Sequence, residues 1–329
     1  MTVHPVAFFL VAVLAGCGLP RIPAHPLING LNSTLGPSQM EVCWIESART
    51  TAPGLFGSAG WNQSPVWDVT TSAVLVRHPQ GTVLIDTGMP PDAEAEAREL
   101  PWWPRFVFRQ TAGRNRLIAT VDQRLTPDDR SRLRGMILSH VHPDHAGGVE
   151  VLPNVPAWVG PAEPAFVAQA MRSRSPAVLP RMGNELIRRM QPIAFTSGPY
   201  ENFDESWDVF GDGTVVVVPT PGHTPGSVST FVNLGDRRFL HVGDTVGLHE
   251  SIERGVPKSA VMRAFTDEDG EKTQTQVARL LQLQQLEPAL WILPAHDRRA
   301  WIAIFGGEPE ASKPPLCVHH RAAAGAGPR

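Results

Sequence analysis

Three imidazoles and a carboxylate stand within six residues of the segment Ser139-His140-Val141-His142-Pro143-Asp144-His145-Ala146-Gly147-Gly148. A fold that carries this segment must bring those donors to a point. Histidine nitrogens and carboxylate oxygens suit zinc and related ions, and the lack of a nearby Cys argues against a closed structural zinc site. The preceding Met136-Ile137-Leu138 reads as a short buried strand, so His140 and His142, at i and i+2, project to one side of its extended end. Asp144 and His145 fall where the chain turns into a helix, and Gly147 and Gly148 permit close backbone approach. One metal would sit on the first pair, and a second has room on the other.

The pattern HxHxDH followed by Gly-Gly resembles the signature of the metallo-β-lactamase superfamily, and four further segments continue the resemblance in order across about residues 40–305. Leu84-Ile85-Asp86-Thr87-Gly88 resembles the first family motif, whose Asp supports the metal loop without ligating. Thr220-Pro221-Gly222-His223-Thr224-Pro225-Gly226-Ser227 is similar to the segment supplying a third His, and His241-Val242-Gly243-Asp244-Thr245 to that supplying a bridging Asp. Leu293-Pro294-Ala295-His296-Asp297 is similar to the last motif. By itself His223 would be a turn residue and Asp244 a helix cap. The resemblance implies one metal on His140, His142 and His223, another on Asp144, His145 and His296, and Asp244 shared by both, with Asp144 and Asp244 as the catalytic carboxylates.

The fold implied is α/β (α+β), a four-layer αββα sandwich with the site at one edge of two packed sheets. The cofactors implied are two divalent ions, zinc first, with iron and manganese open. Two such ions carry +4 against −3 from Asp144, Asp244 and one hydroxide, which leaves the centre about +1 and electrophilic. A metal-bridging hydroxide attacking a lactone, an ester or a related acyl bond is the expected chemistry; phosphoester, phosphotriester and thioester hydrolysis and a catalytically silent metal-binding lipoprotein are the alternatives. A bridging Asp at 244 disfavours β-lactam cleavage. The His296-Asp297 ending and the segment Thr220 to Ser227 resemble the N-acyl-homoserine lactone lactonase branch and its ester-hydrolysing relatives, with one departure: those enzymes carry Tyr three residues after the bridging Asp, where this chain has Gly247. The sole Tyr is Tyr200, in another segment. His249 is a substitute donor or a solvated loop residue.

The ends of the chain bear on where it works. Residues 6–15 are apolar, too short to span a bilayer and suited to a signal-peptide core, and Leu14-Ala15-Gly16-Cys17 resembles a bacterial lipobox. The first five residues carry no Lys or Arg. The organisation expected is a signal peptide with lipobox at 1–17, a linker at 18–38, the hydrolase domain at 39–306 and a poorly ordered tail at 307–329. An exported, periplasmic lipoprotein tethered to the outer membrane through lipidated Cys17 follows. With Lys+Arg 29 against Asp+Glu 32 and a net charge of −3, nucleic acid is not an expected partner, and a small-molecule substrate is. Cys43 and Cys317 are expected as free thiols, a disulfide being the alternative.

Strand-like runs fall at residues 41–45, 73–76, 82–85, 136–138, 157–159, 215–218, 227–232, 238–242 and 290–293, and residues 274–286 carry a helical pattern. Two segments stand apart. Residues 90–124 form an insertion with the cluster Trp102-Trp103-Pro104-Arg105-Phe106-Val107-Phe108, which reads equally as a hydrophobic lid and as a buried helix-packing cluster, less readily as a membrane-contact patch. Residues 61–67 are an overhanging or an ordinary packed loop. His319 and His320 stay outside the site.

Overall fold

The computed structural model describes residues 19–21, 40–59, 65–234, 237–310 and 313–319. The expected signal peptide, Cys17, nearly all of the linker, residues 60–64 and His320 lie outside the described residues.

The run Val215-Val216-Val217-Val218 shows how the layers arise. A strand sends alternate side chains to opposite faces, so a run of four buried valines needs cover on both sides. Val215 and Val217 enter one hydrophobic cluster with Val42, Trp44, Val74, Val76, Val83, Ile85 and Ile137. Val216 and Val218 enter another with Val277, Leu280 and Leu283 of the helix Gly270–Leu286. Each of these four side chains contributes roughly 1.5–3 kcal/mol by leaving water. Two sheets thus face each other across a shared core, with a helical layer outside each.

The first sheet runs β13 (Leu316–His319), β1 (Glu41–Pro53), β2 (Val66–His78), β3 (Gly81–Ile85), β5 (Leu133–Ile137), β6 (Ala157–Val159) and β7 (Met190–Pro192), with β4 (Arg116–Leu117) paired to β1. The second runs β12 (Trp291–Leu293), β11 (Arg238–His241), β10 (Val228–Asn233), β9 (Val215–Pro219) and β8 (Trp207–Asp208). The outer face of the first sheet is closed by Phe166 and Val167 of the helix Glu163–Ser173 and by Met182 and Leu186 of the helix Pro180–Arg189. This is the four-layer arrangement expected. β3 and β5 are parallel, as are β11 and β12, while β9 and β11 both run antiparallel to β10. The loops that carry Asp86, His140 to His145, His223, Asp244 and His296 therefore all follow C-terminal strand ends.

Two expectations are corrected, and one of the open readings of the insertion is closed. Residues 316–319 are a strand, not loose tail: β13 pairs antiparallel with β1. That register sets Cys43 opposite Cys317, and the two form a disulfide instead of standing as free thiols. Directly opposed positions on an antiparallel pair bring the Cβ atoms together whatever their separation in sequence. In the insertion, Phe108 is buried but Trp102, Trp103 and Phe106 are exposed, so the cluster as a whole is not a packed core.

Candidate metal centre

Asp86 follows β3 in a left-handed conformation, φ 54°, that a non-glycine residue adopts only when its surroundings hold it there. Its carboxylate is fully buried and accepts from the Ser139 backbone N–H at 2.7 Å, from Ser139 Oγ at 2.8 Å and from His145 Nδ1 at 2.8 Å. Burial works to raise its pKa, but the neighbouring His145 and the hydrogen bonds outweigh it and hold Asp86 below the usual carboxylate range. Thr87 fixes the same loop, donating to the His145 carbonyl from both its N–H and its hydroxyl. Gly147 has no room for a side chain: a Cβ there would stand 2.1 Å from the Pro90 nitrogen. The close approach read from the Gly-Gly pair is thus between the metal loop and the chain following Asp86.

Four of the five rings are anchored on one nitrogen. His145 Nδ1 faces Asp86, His296 Nδ1 donates to the Thr70 carbonyl at 2.7 Å, and His223 Nδ1 lies 2.9 Å from Asp267 Oδ1. His140 Nδ1 is 3.1 Å from Ser139 Oγ. Anchoring one nitrogen fixes the tautomer and leaves the other as a lone-pair donor. The free nitrogens converge: His142 Nδ1 is 3.0 Å from His140 Nε2 and 3.1 Å from His223 Nε2, and His145 Nε2 is 3.1 Å from His296 Nε2.

The donors fall into groups His140/His142/His223 and Asp144/His145/His296, with Asp244 joining His140 and His145 in a third, the atoms of each group within 4.8 Å of one another. All seven residues read from the sequence are brought together. Asp244 spans the two triads, its Oδ1 3.2 Å from His296 Nε2 and 3.4 Å from His145 Nε2, its Oδ2 3.5 Å from His223 Nε2. Asp144 Oδ2 is 3.4 Å from His296 Nε2.

Electrostatics favour a cation here. Burial, then the adjacent imidazoles, hold His140 and His142 well below the ordinary histidine pKa, so both offer neutral nitrogens. Burial also opposes charge on His145 and His296, yet Asp244 with Asp86, and Asp244 with Asp144, overcome it and raise both. The negative field that would hold protons on those rings serves a metal ion equally well. Asp244 Oδ1 is buried and makes no well-aligned hydrogen bond, facing only the Nε2 atoms of His296 and His145, a costly state for a carboxylate oxygen and one that coordination relieves. The donor set therefore fits divalent metal.

Several supports have no signature in the sequence. Lys258 is buried; its Nζ donates to the Asp244 carbonyl at 2.7 Å, ion-pairs with Asp267 and lies 3.3 Å from His223 Nδ1. Against burial, Lys258 and His223 draw the pKa of Asp267 down. Glu163, pushed up to about 7 by burial, accepts from Thr224 Oγ1 and from the Gly226 N–H beside His223. Trp67 Nε1 donates to the His296 carbonyl at 3.0 Å, so the one described aromatic of the 61–67 stretch is a packed support for the metal loop.

The candidates to replace the lactonase Tyr do not reach the centre. A Cβ on Gly247 would lie 2.5 Å from the Gly57 carbonyl, because the short helix Gly54–Gly57 between β1 and β2 packs against that spot. His249 is neither in a loop nor aimed at the site: it opens the helix His249–Arg254 and its Nδ1 bonds the Ile292 carbonyl at 2.8 Å. Tyr200 is buried beside Phe231 on the outer side of the second sheet, its hydroxyl accepting from Asn233.

Known proteins resemble this chain in sequence and in fold. A probable metallo-hydrolase of Mycobacterium tuberculosis is 29% identical over 245 residues, 68% of this chain and 73% of that protein. The N-acyl homoserine lactonase AttM of Agrobacterium fabrum is 24% identical over 259 residues, 74% and 88% of the two chains. A solved N-acyl homoserine lactone hydrolase, with the product N-hexanoyl-L-homoserine at its catalytic metal centre, superposes with a TM-score of 0.57 at 22% identity, covering 81% of this chain and 96% of that one. The family model described as the metallo-beta-lactamase superfamily matches residues 66–296, which span every residue of the two triads and Asp244. The chain therefore belongs to the metallo-β-lactamase superfamily of metal-dependent hydrolases.

Proposed function

We propose that the protein is a two-metal hydrolase that opens lactones, esters or related acyl bonds of small molecules. The observation that carries this is Asp244, whose two oxygens each face a different triad. His140, His142 and His223 would hold one ion, Asp144, His145 and His296 the other, and Asp244 both. Zinc suits a nitrogen and oxygen donor set without thiolate, and iron and manganese are compatible with it. When bound, such a pair supplies hydroxide at neutral pH and polarises a carbonyl oxygen. The chain's own part is to fix four of the five rings before substrate arrives, through Asp86, Thr70, Asp267 and Ser139. The lactonase and lactone hydrolase among its relatives favour acyl substrates. Gly247, whose place is closed by the Gly57 backbone, removes the lactonase carbonyl donor and keeps thioesters and phosphoesters as the second reading.

The test is metal content and turnover of the purified chain on lactones, aryl esters, thioesters, phosphoesters and β-lactams. Two ions per chain and acyl hydrolysis are expected. Asp244→Ala should lower turnover more than about 100-fold, the loss that even outer partners of metal ligands reach. One ion per chain, or turnover indifferent to Asp244→Ala, would sink the reading; two ions with no turnover would leave a silent metal-binding protein. Export and lipidation at Cys17 belong to the same proposal, and labelled palmitate should enter the chain but not a Cys17→Ser variant.

A further inference from the structure

The helix Trp102–Gln110 presents two unlike faces. Phe108 points inward and is 1% exposed, packed in the same core cluster as Ala97, Leu100 and Val121. Trp102, Trp103 and Phe106 point outward at 74%, 55% and 50% exposure. Trp103 stacks on Phe106 with ring centroids 5.5 Å apart, and Trp102 meets Trp103 edge-on at 5.5 Å. Three aromatic rings in one exposed cluster, on a helix pinned from below, form a rigid apolar face that water alone does not favour.

The charge around this face is mixed, with arginine in excess over the acids Asp92, Glu94, Glu96 and Glu99. Residues 98–117 contain five arginines, Arg98, Arg105, Arg109, Arg114 and Arg116, and one acidic residue, Glu99, in a chain whose net charge is −3. Arg98 and Arg109 also approach Glu94, and Arg105 donates to the Leu100 carbonyl. Arg98, Arg109, Arg114 and Arg116 are exposed. Tryptophan and phenylalanine beside arginine is the composition of segments that lie in the headgroup region of a bilayer, with the rings at the acyl boundary and the cations on anionic lipid. No helix among the described residues is long and apolar enough to cross a membrane, so contact here would be peripheral.

We propose that the face formed by Trp102, Trp103 and Phe106, with its arginine rim, is a docking surface for an anionic lipid bilayer. The surface is independent of Cys17: a lipid anchor holds a chain near a membrane, whereas this face fixes which side of the domain meets it.

The experiment uses the full-length chain carrying Cys17→Ser, mixed with vesicles of phosphatidylcholine alone or with phosphatidylglycerol. Binding by sedimentation is expected with the anionic vesicles, weakened by salt and reduced about tenfold or more in Trp102→Ser/Trp103→Ser/Phe106→Ser. Vesicles with brominated acyl chains should quench tryptophan emission in the parent, and Trp102→Phe/Trp103→Phe should bind yet lose most of the quenching. That second variant keeps the aromatic face and separates contact from misfolding. Equal binding by parent and triple-Ser variant, or unchanged quenching in the double-Phe variant, overturns the proposal. So does a parent that ignores both vesicles and dimerises through this face, or one whose triple-Ser variant changes only KM for long-chain substrates, which would make the face a substrate wall.

Discussion

At the scale of single residues, the centre depends on groups that never touch a metal. Asp267 fixes His223 Nδ1 and neutralises Lys258, which in turn holds the Asp244 carbonyl. Asp267→Asn leaves the Lys258 ammonium buried without its counter-charge, a state worse than having no pair at all. Metal affinity measured by chelator competition should fall about 10- to 100-fold, as for other outer partners of metal ligands. Gly247→Tyr is the complementary case. Restoring the residue found in lactonases should not restore its role, because any Cβ meets the Gly57 carbonyl. Such overpacking should cost about 1–3 kcal/mol, read from the urea midpoint, with no gain in lactone turnover. The ligands were legible because each sits in a short local signature. Lys258 and Asp267 were not, since no motif marks them, and neither were Trp67 and the Thr70 carbonyl, which reach His296 from remote parts of the chain, 229 and 226 residues away.

At the scale of elements, the metal loop rests on its neighbours through a pair of acids. Glu96 accepts from the Arg181 and Met182 N–H groups at the start of the helix Pro180–Arg189, and Glu150 packs against it from the short helical turn Gly147–Val151. Burial first, then the neighbouring Glu96 carboxylate, push the Glu150 carboxyl up to about 8 from 4.5. A raised acid is protonated in the folded chain over a range where the unfolded chain has already ionised. Its contribution to stability therefore declines as pH rises from about 4.5 towards 8 and is fully unfavourable above that. Glu150→Gln mimics the protonated form, so its thermal midpoint should gain on the parent's across that window and run parallel beyond it. Most strand positions were legible for the opposite reason to their regularity: the continuous apolar runs at 83–85 and 215–218 lack alternation because both of their faces are covered. The length of β1 and β2, 13 residues each, was not, because Ser47, Thr70, Thr71 and Ser72 are polar yet buried. Trp44 Nε1 bonds Ser72, and Thr70 bonds Glu46, which satisfies hydroxyls that in sequence read as surface.

At the scale of the whole molecule, the Cys43–Cys317 disulfide and the β13–β1 pairing join segments 274 residues apart. Nothing local marks this. The stretch before β13 is rich in proline and reads as a tail, and only the partner strand makes Leu316–His319 regular. Every residue of the two triads, Asp244, Asp86, Lys258 and Asp267 lie between the two cysteines, so the covalent chain forms a closed ring around the entire catalytic apparatus. A ring survives one cut. Limited proteolysis at any single bond between Cys43 and Cys317 should leave one band on a non-reducing gel and two after reduction. Two fragments without reductant would show that the cysteines are not joined. Outside a reducing compartment, the protein is thus built to remain one molecule after its first encounter with a protease.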